Sequence, residues 1–306
     1  MAVYEQTYKR YTGQLTPEWS RFLIIPRHAY RAVFNSKLFM AFFAFCFIPL
    51  LVEAILIYLR HNVGALAAFN TNVRELIPVD ATFFETFVNI QNSFAFLLAL
   101  LIGPPLVSRD LRNNALPLYL CRPFSRTEYV IGKMSVLLIL LSLVTWLPQL
   151  LLFFLQSYLE GFAWFKANLW IATSIVIASL FWILLLALLT QTISALVKWR
   201  VVASGALVAL FLIPSAFGLF INEVFRTAWG NAISLIATVR NVTSGLFGTF
   251  DRVAEVRRIH DFEGAIIREV LILEPPLWVS WTVLFLLCAI CLALLSWRVK
   301  AYEVVK

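Results

Sequence analysis

Charge is scarce in this chain: Asp, Glu, Lys and Arg make up 14% of its 306 residues, against 61% hydrophobic. With a mean hydropathy of +0.84, it has too little polar surface for a soluble globular domain and reads as a polytopic membrane protein. Histidine is scarcer still. His28, His61 and His260 all fall outside the long apolar runs, on both sides of them, so no metal-ligand or nucleophile–base cluster emerges and an enzyme of that kind is excluded. A phosphate-binding loop, G-x-x-x-x-G-K followed by Ser or Thr, does not occur. The Gly132-Lys133 pair precedes Met134 and has Thr127 where the loop's first glycine belongs. The four cysteines (Cys46, Cys121, Cys288, Cys291) make no secreted disulfide framework and read as packing residues. No cleavable signal is evident either, because the first apolar patch, 22–25, is too short.

What the chain does have is long apolar runs. A bilayer's hydrocarbon core of roughly 30 Å needs about 20 largely uncharged helical residues. Six stretches qualify: 38–59, 86–107, 134–158, 167–197, 201–221 and 277–297. All are expected to be helices, since backbone polar groups in lipid must be satisfied within their own segment and the runs do not alternate as barrel strands do. The expected fold is therefore an all-α polytopic membrane protein. Of the 25 Lys and Arg, sixteen lie on the face holding both termini and nine on the other. The positive-inside rule then makes both termini cytoplasmic, in a cell inner (plasma) membrane, with the net charge of +8 reflecting a basic rim beside anionic lipid rather than nucleic-acid binding.

Residues 1–37 form a cytoplasmic elbow segment. Thr16-Pro17-Glu18 is a helix start, and Trp19, Phe22, Leu23, Tyr30, Val33 and Phe34 recur at helical spacing opposite Arg21, Arg27, His28 and Arg31, with a kink expected near Pro26. Such a helix lies in the membrane surface. The segment 222–276 is too long for an unstructured external loop. Two helical pieces are expected there, 251–259 and 263–273, the latter with an apolar stripe of Ile266, Ile267, Val270 and Leu271 before Pro275-Pro276. The stretch 228–250 is apolar but interrupted by Gly230, Asn231, Arg240 and Asn241, which suits an interfacial or re-entrant path. Asn241-Val242-Thr243 matches a glycosylation sequon.

The most informative segment is 108–133, basic and punctuated by proline. Ser108 is expected to cap a short helix, 109–116, that Pro117 ends, and Arg122-Pro123 makes a second break. Ser125-Arg126-Thr127-Glu128 is a capping box for a helix expected to run unbroken into the third span. A push on the short helix would pass to two spans as rigid bodies.

In this segment the chain resembles the membrane subunits of type-2 ATP-binding-cassette transporters, mostly exporters. The likeness rests on an acidic residue soon after the second span, Asp110, and on the run Pro123-Phe124-Ser125-Arg126-Thr127-Glu128-Tyr129-Val130-Ile131-Gly132-Lys133. The elbow-like helix, the six spans and the large segment before the last span extend it over nearly the whole chain. One departure is Asn113-Asn114-Ala115 after Asp110, where the family often has Gly-Thr after Glu. The resemblance implies a single permease domain, 1–306, coupled to a separate nucleotide-binding ATPase that carries ATP and Mg, with no cofactor in this chain. It also implies a second permease copy or a paralogue, and membrane lipids, as partners. It further implies that Arg109, Asp110, Arg112 and Asn113 sit in or near a groove of the ATPase, that Ser125, Arg126 and Lys133 fix the next helix, and that Arg122 belongs to the same ATPase-coupling segment.

Polar residues within the spans are candidates for a translocation path: Glu53, Asn89, Asn92 and Gln149, with Gln91, Ser93 and Gln156 beside them. Interhelical hydrogen bonding explains them equally well. In the fifth span Gly205 and Ala209, followed by Pro214, Ser215, Ala216 and Gly218, suit close helix approach. Two other readings remain. One is a membrane scaffold or assembly subunit without transport. The other is an ion-coupled secondary carrier using Glu53, since charge inside a span is costly and marks ion paths.

Overall fold

A computed structural model describes residues 24–62, 78–113, 126–197, 199–260 and 266–298. Among them are six helical stretches long and apolar enough to cross a membrane: Lys37–His61, Ala81–Leu106, Thr127–Glu160, Phe162–Leu196, Arg200–Phe225 and Leu277–Trp297. The protein is an all-α polytopic membrane protein in architecture, and each expected span coincides with one of these helices. Before them lies α1 (Ile24–Phe34), whose Tyr30 and Val33 pack on the core. The Tyr30 hydroxyl donates to the Ser135 carbonyl at 3.4 Å. Burial pushes its phenol up to about 12, so it stays a donor. The expected helix start at Thr16-Pro17-Glu18 lies outside the described residues.

Two spans are broken, each next to a proline. The first is α2 (Lys37–Phe45) followed by α3 (Ile48–His61), with Pro49 in the first turn of α3. The third is α5 (Arg126–Val144) followed by α6 (Trp146–Glu160), with Pro148 just inside α6 and Thr145 at φ −99, ψ −100 between them. A proline has no N–H to give the carbonyl four residues back. The helix that begins at Arg126, beside the capping box, thus runs into the third span and breaks only at its middle.

The second span behaves oppositely. It is one helix, α4 (Ala81–Arg112), which passes through Pro104 and Pro105. The expected cap at Ser108 and separate helix 109–116 are therefore corrected: Ser108 is buried inside α4 and its hydroxyl donates to the Pro104 carbonyl at 2.5 Å. Residues 109–112 are the last turn of α4, beyond the apolar stretch that ends at Leu106. Packing explains the continuity, because α4 is held against the fourth span, α7 (Phe162–Leu196), so closely that a Cβ on Gly103 would collide with the Thr190 methyl. Residues 114–125, with Pro117, Arg122 and Ser125, lie outside the described residues.

The fourth span is the centre of the bundle: 67% of its most apolar stretch is buried within the chain, against 17% for the fifth, α8 (Arg200–Phe225). Ala95, Leu98 and Ile102 of α4 and Ile183 and Leu186 of α7 belong to one core cluster. Close packing of such residues substitutes in lipid for the hydrophobic drive available in water.

After Phe225 the chain turns at Arg226, in the left-handed region at φ 50, and doubles back along α8. A single 3₁₀ turn, Trp229–Ala232, lies with Gly230 in backbone contact with Gly218, where neither residue has room for a side chain. Close approach is thus found at Gly218, whereas a Cβ at Gly205 would meet nothing within 4 Å. The Ser234 and Ser215 hydroxyls are 2.8 Å apart, with Ser215 about 15 Å of helix before the end of α8. From Ser234, whose hydroxyl accepts the Ala237 N–H, α9 (Leu235–Leu246) climbs back to the end of the bundle. The chain thus doubles back beside the fifth span, with the turn's polar groups satisfied by Asn222: its amide donates to Asn231 at 2.8 Å and its carbonyl accepts the Gly230 N–H at 2.7 Å.

The two helical pieces expected at 251–259 and 263–273 are instead an antiparallel hairpin, β1 (Val253–His260) and β2 (Ile266–Leu273), paired from Val253 opposite Leu273 to His260 opposite Ile266. Both arms are rich in β-branched residues, and each gives the other the backbone partners that a short isolated helix would have to find alone. The last span, α10 (Leu277–Arg298), follows directly.

Candidate functional site

At the end of the bundle where α4 stops and α5 starts, three side chains from the segment 108–133 converge. Asp110 Oδ2 accepts the Tyr129 hydroxyl at 2.8 Å and the Lys133 ammonium at 2.9 Å. Tyr129 and Lys133 stand one turn apart on α5, so one face of that helix grips the last turn of α4, and the ammonium also lies 5.7 Å from the Tyr129 ring centre. Tyr129 is buried and the Asp110 and Lys133 side chains are 15% and 9% exposed. Asp110 is thus engaged within the chain. Arg112 and Asn113, just beyond the clasp, are exposed. Arg109 and Arg126 fall within α4 and α5, with side chains outside the described set, as Arg122 and Ser125 are altogether.

In the middle of the bundle, Gln91 of α4 joins the two broken spans. Its amide nitrogen donates to the Cys46 carbonyl at 2.9 Å and to the Val144 carbonyl at 2.7 Å. Val144 is the residue whose usual helical donor Pro148 removes, and Cys46 sits at the break before Pro49. A turn further on, Gln149 of α6 donates to Glu53 Oε2 of α3 at 2.9 Å. Both side chains are fully buried. Glu53 and Gln149 therefore face each other in the seam between the first and third spans.

Asn89 and Asn92 lie elsewhere. They line a cavity of about 470 Å³ between the second, fourth and fifth spans and α9. Phe96, Trp182 and Phe211 form its apolar floor, with Phe96 and Phe211 edge to face at 4.8 Å and Trp182 against Phe211 at 5.8 Å. The Trp182 indole N–H donates to the Asn92 main-chain carbonyl at 2.9 Å, while both polar atoms of the Asn92 side chain are buried without a hydrogen-bond partner. Ile236, Val239 and Arg240 face the cavity from one side of α9. The four expected path residues thus fall into two pairs in two seams. Trp182 and Phe211 escaped the sequence reading, and Arg240 entered it as an interruption of an apolar stretch and not as a site residue.

Carboxylates pin the far end of the bundle. Glu85 at the start of α4 accepts the hydroxyls of Ser244 and Thr249, and Glu274 accepts the amides of Asn231 at 2.7 Å and Asn241 at 3.4 Å. Asn241, the sequon residue, is only 6% exposed, which leaves no room for a glycan. Neither a protein-family model nor a curated protein matches the chain, so its functional reading rests on the motif and on this geometry.

Proposed function

We propose that this protein is the permease subunit of an ATP-binding-cassette exporter, with both termini cytoplasmic, driven by a separate ATPase at the segment between α4 and α5. The observation that carries the reading is the Asp110–Tyr129–Lys133 clasp. It ties the two spans that flank the segment, so force applied at Arg112 and Asn113 moves both helices together. The cavity between the second and fifth spans supports a cargo path on the far side of that lever. Glu53 does not line this cavity, which weakens the carrier reading: its contact with Gln149 is one a packing role explains. A second permease copy or paralogue completes the path, with α8 the least self-buried span and free to meet it.

The test is to purify the tagged chain with its soluble partner and assay ATP hydrolysis after reconstitution. Arg112→Glu is the informative variant, because this exposed side chain lies outside the clasp. We expect an ATPase to co-purify, and the variant to lose it or its stimulation while thermal stability is unchanged. Absence of any nucleotide-hydrolysing partner, or hydrolysis indifferent to Arg112→Glu, would refute the reading.

A further inference from the structure

Among the described residues, the cavity between the second and fifth spans is lined by one charged side chain, a cation. Arg240 lines it from α9, and among the described residues no carboxylate pairs with that guanidinium. Its helix starts beside Ser215, well inside the length of the fifth span, and Arg240 stands about 9 Å along it from Ser234. Arg240 is exposed and stands about 6 Å short of the end of the fifth span, so its guanidinium, at the edge of a largely apolar cavity, is open to an anionic head group. Asn92 adds an independent sign. It is 6% exposed, its side-chain amide is wholly unpartnered, and it faces the same cavity. Buried polar groups are normally paired, and this one is held in place by the Trp182 contact to its main chain. Aromatic rings lie beside Asn92: Phe96 one turn on along α4, and Trp182 against its main chain.

We propose that the cavity binds a monoanionic amphiphile. Its carboxylate, sulfonate or phosphate head meets Arg240 and the Asn92 amide, and its alkyl or aryl body lies against Phe96, Trp182 and Phe211. A volume of about 470 Å³ falls in the range of small-molecule pockets. The inference deepens the permease reading by naming a cargo class, and rests on it for the ligand's role as cargo.

The experiment is a binding titration on the full chain in phosphatidylcholine nanodiscs, with 11-(dansylamino)undecanoic acid and its methyl ester as probes and empty nanodiscs as background. We expect the acid to bind about tenfold or more tighter than the ester. Arg240→Gln should abolish that preference and Arg240→Lys keep most of it. Val208→Trp, which fills the cavity, should remove specific binding of both probes, while gel filtration confirms folded variants. Equal binding of acid and ester, no binding above background, or a preference that survives Arg240→Gln would overturn the proposal. Adding phosphatidylglycerol identifies the source: competition assigns the site to an anionic lipid head group, and its absence to a free amphiphile. Binding is read without the ATPase. A chain that prefers the acid but recruits no ATPase refutes the permease reading alone, and a coupled chain blind to head-group charge refutes this inference alone.

Discussion

Removing one partner of the Asp110–Lys133 pair should uncouple the second and third spans and cost most of the clasp's stability. The ammonium and carboxylate oxygen are 2.9 Å apart. At an effective dielectric near 20 that separation corresponds to about 6 kcal/mol of attraction, much of it offset by desolvation of two groups that are 9% and 15% exposed. A single substitution leaves the other charge buried and poorly paired, which typically costs about 3–5 kcal/mol. Because the clasp sits at the bundle's end and retains the Tyr129 hydroxyl, the lower figure applies: about 3 kcal/mol for Lys133→Met and for Asp110→Asn. The double variant removes both charges and should lose about 2 kcal/mol less than the two singles together. Tyr129→Phe deletes one hydrogen bond to a charged acceptor, about 1.5 kcal/mol. Unfolding in mixed micelles titrated with dodecyl sulfate, followed by circular dichroism, reads all four. Single losses under about 1 kcal/mol, or strict additivity within about 0.5 kcal/mol, would show that the pair is a solvated surface contact and refute the lever.

Gln91→Leu should lower stability by about 2–4 kcal/mol in the same assay, because it strands the Cys46 and Val144 carbonyls in the bundle's middle; Gln91→Glu, which also lacks the amide donor, should not rescue it. Gly230→Ala places a Cβ against the Gly218 carbonyl, so the turn must move and α9 with it. A cysteine at position 234, buried in the native fold, should then react faster with a membrane-permeant maleimide, and an unchanged rate would show that the turn is not tightly seated.

The local misreadings share one cause. Ser108 followed by acidic and basic residues is a sound helix start by local rules, yet Gly103 lets α4 pack on α7 and the helix continues through two prolines. Ile266, Ile267, Val270 and Leu271 fit a helical stripe and a β-branched strand alike, and pairing with 253–260 selected the strand. Similarly, Glu53, Asn89, Asn92 and Gln149 are equally polar along the chain, and only the arrangement of helices sends two to a buried seam and two to a cavity.

By itself the sequence determined that this chain crosses a membrane six times as helices, because runs of some twenty uncharged residues leave the backbone no other way to satisfy its hydrogen bonds in lipid. It also marked the segment between the second and third spans, through the residues that close the clasp. Which polar groups meet was decided by the tertiary structure alone. Gln91 reaches two carbonyls 45 and 53 residues away, and Arg240 joins Asn92 only because the chain doubles back beside the fifth span. Those contacts depend on side-chain direction and helix approach, which periodicity along one segment does not specify.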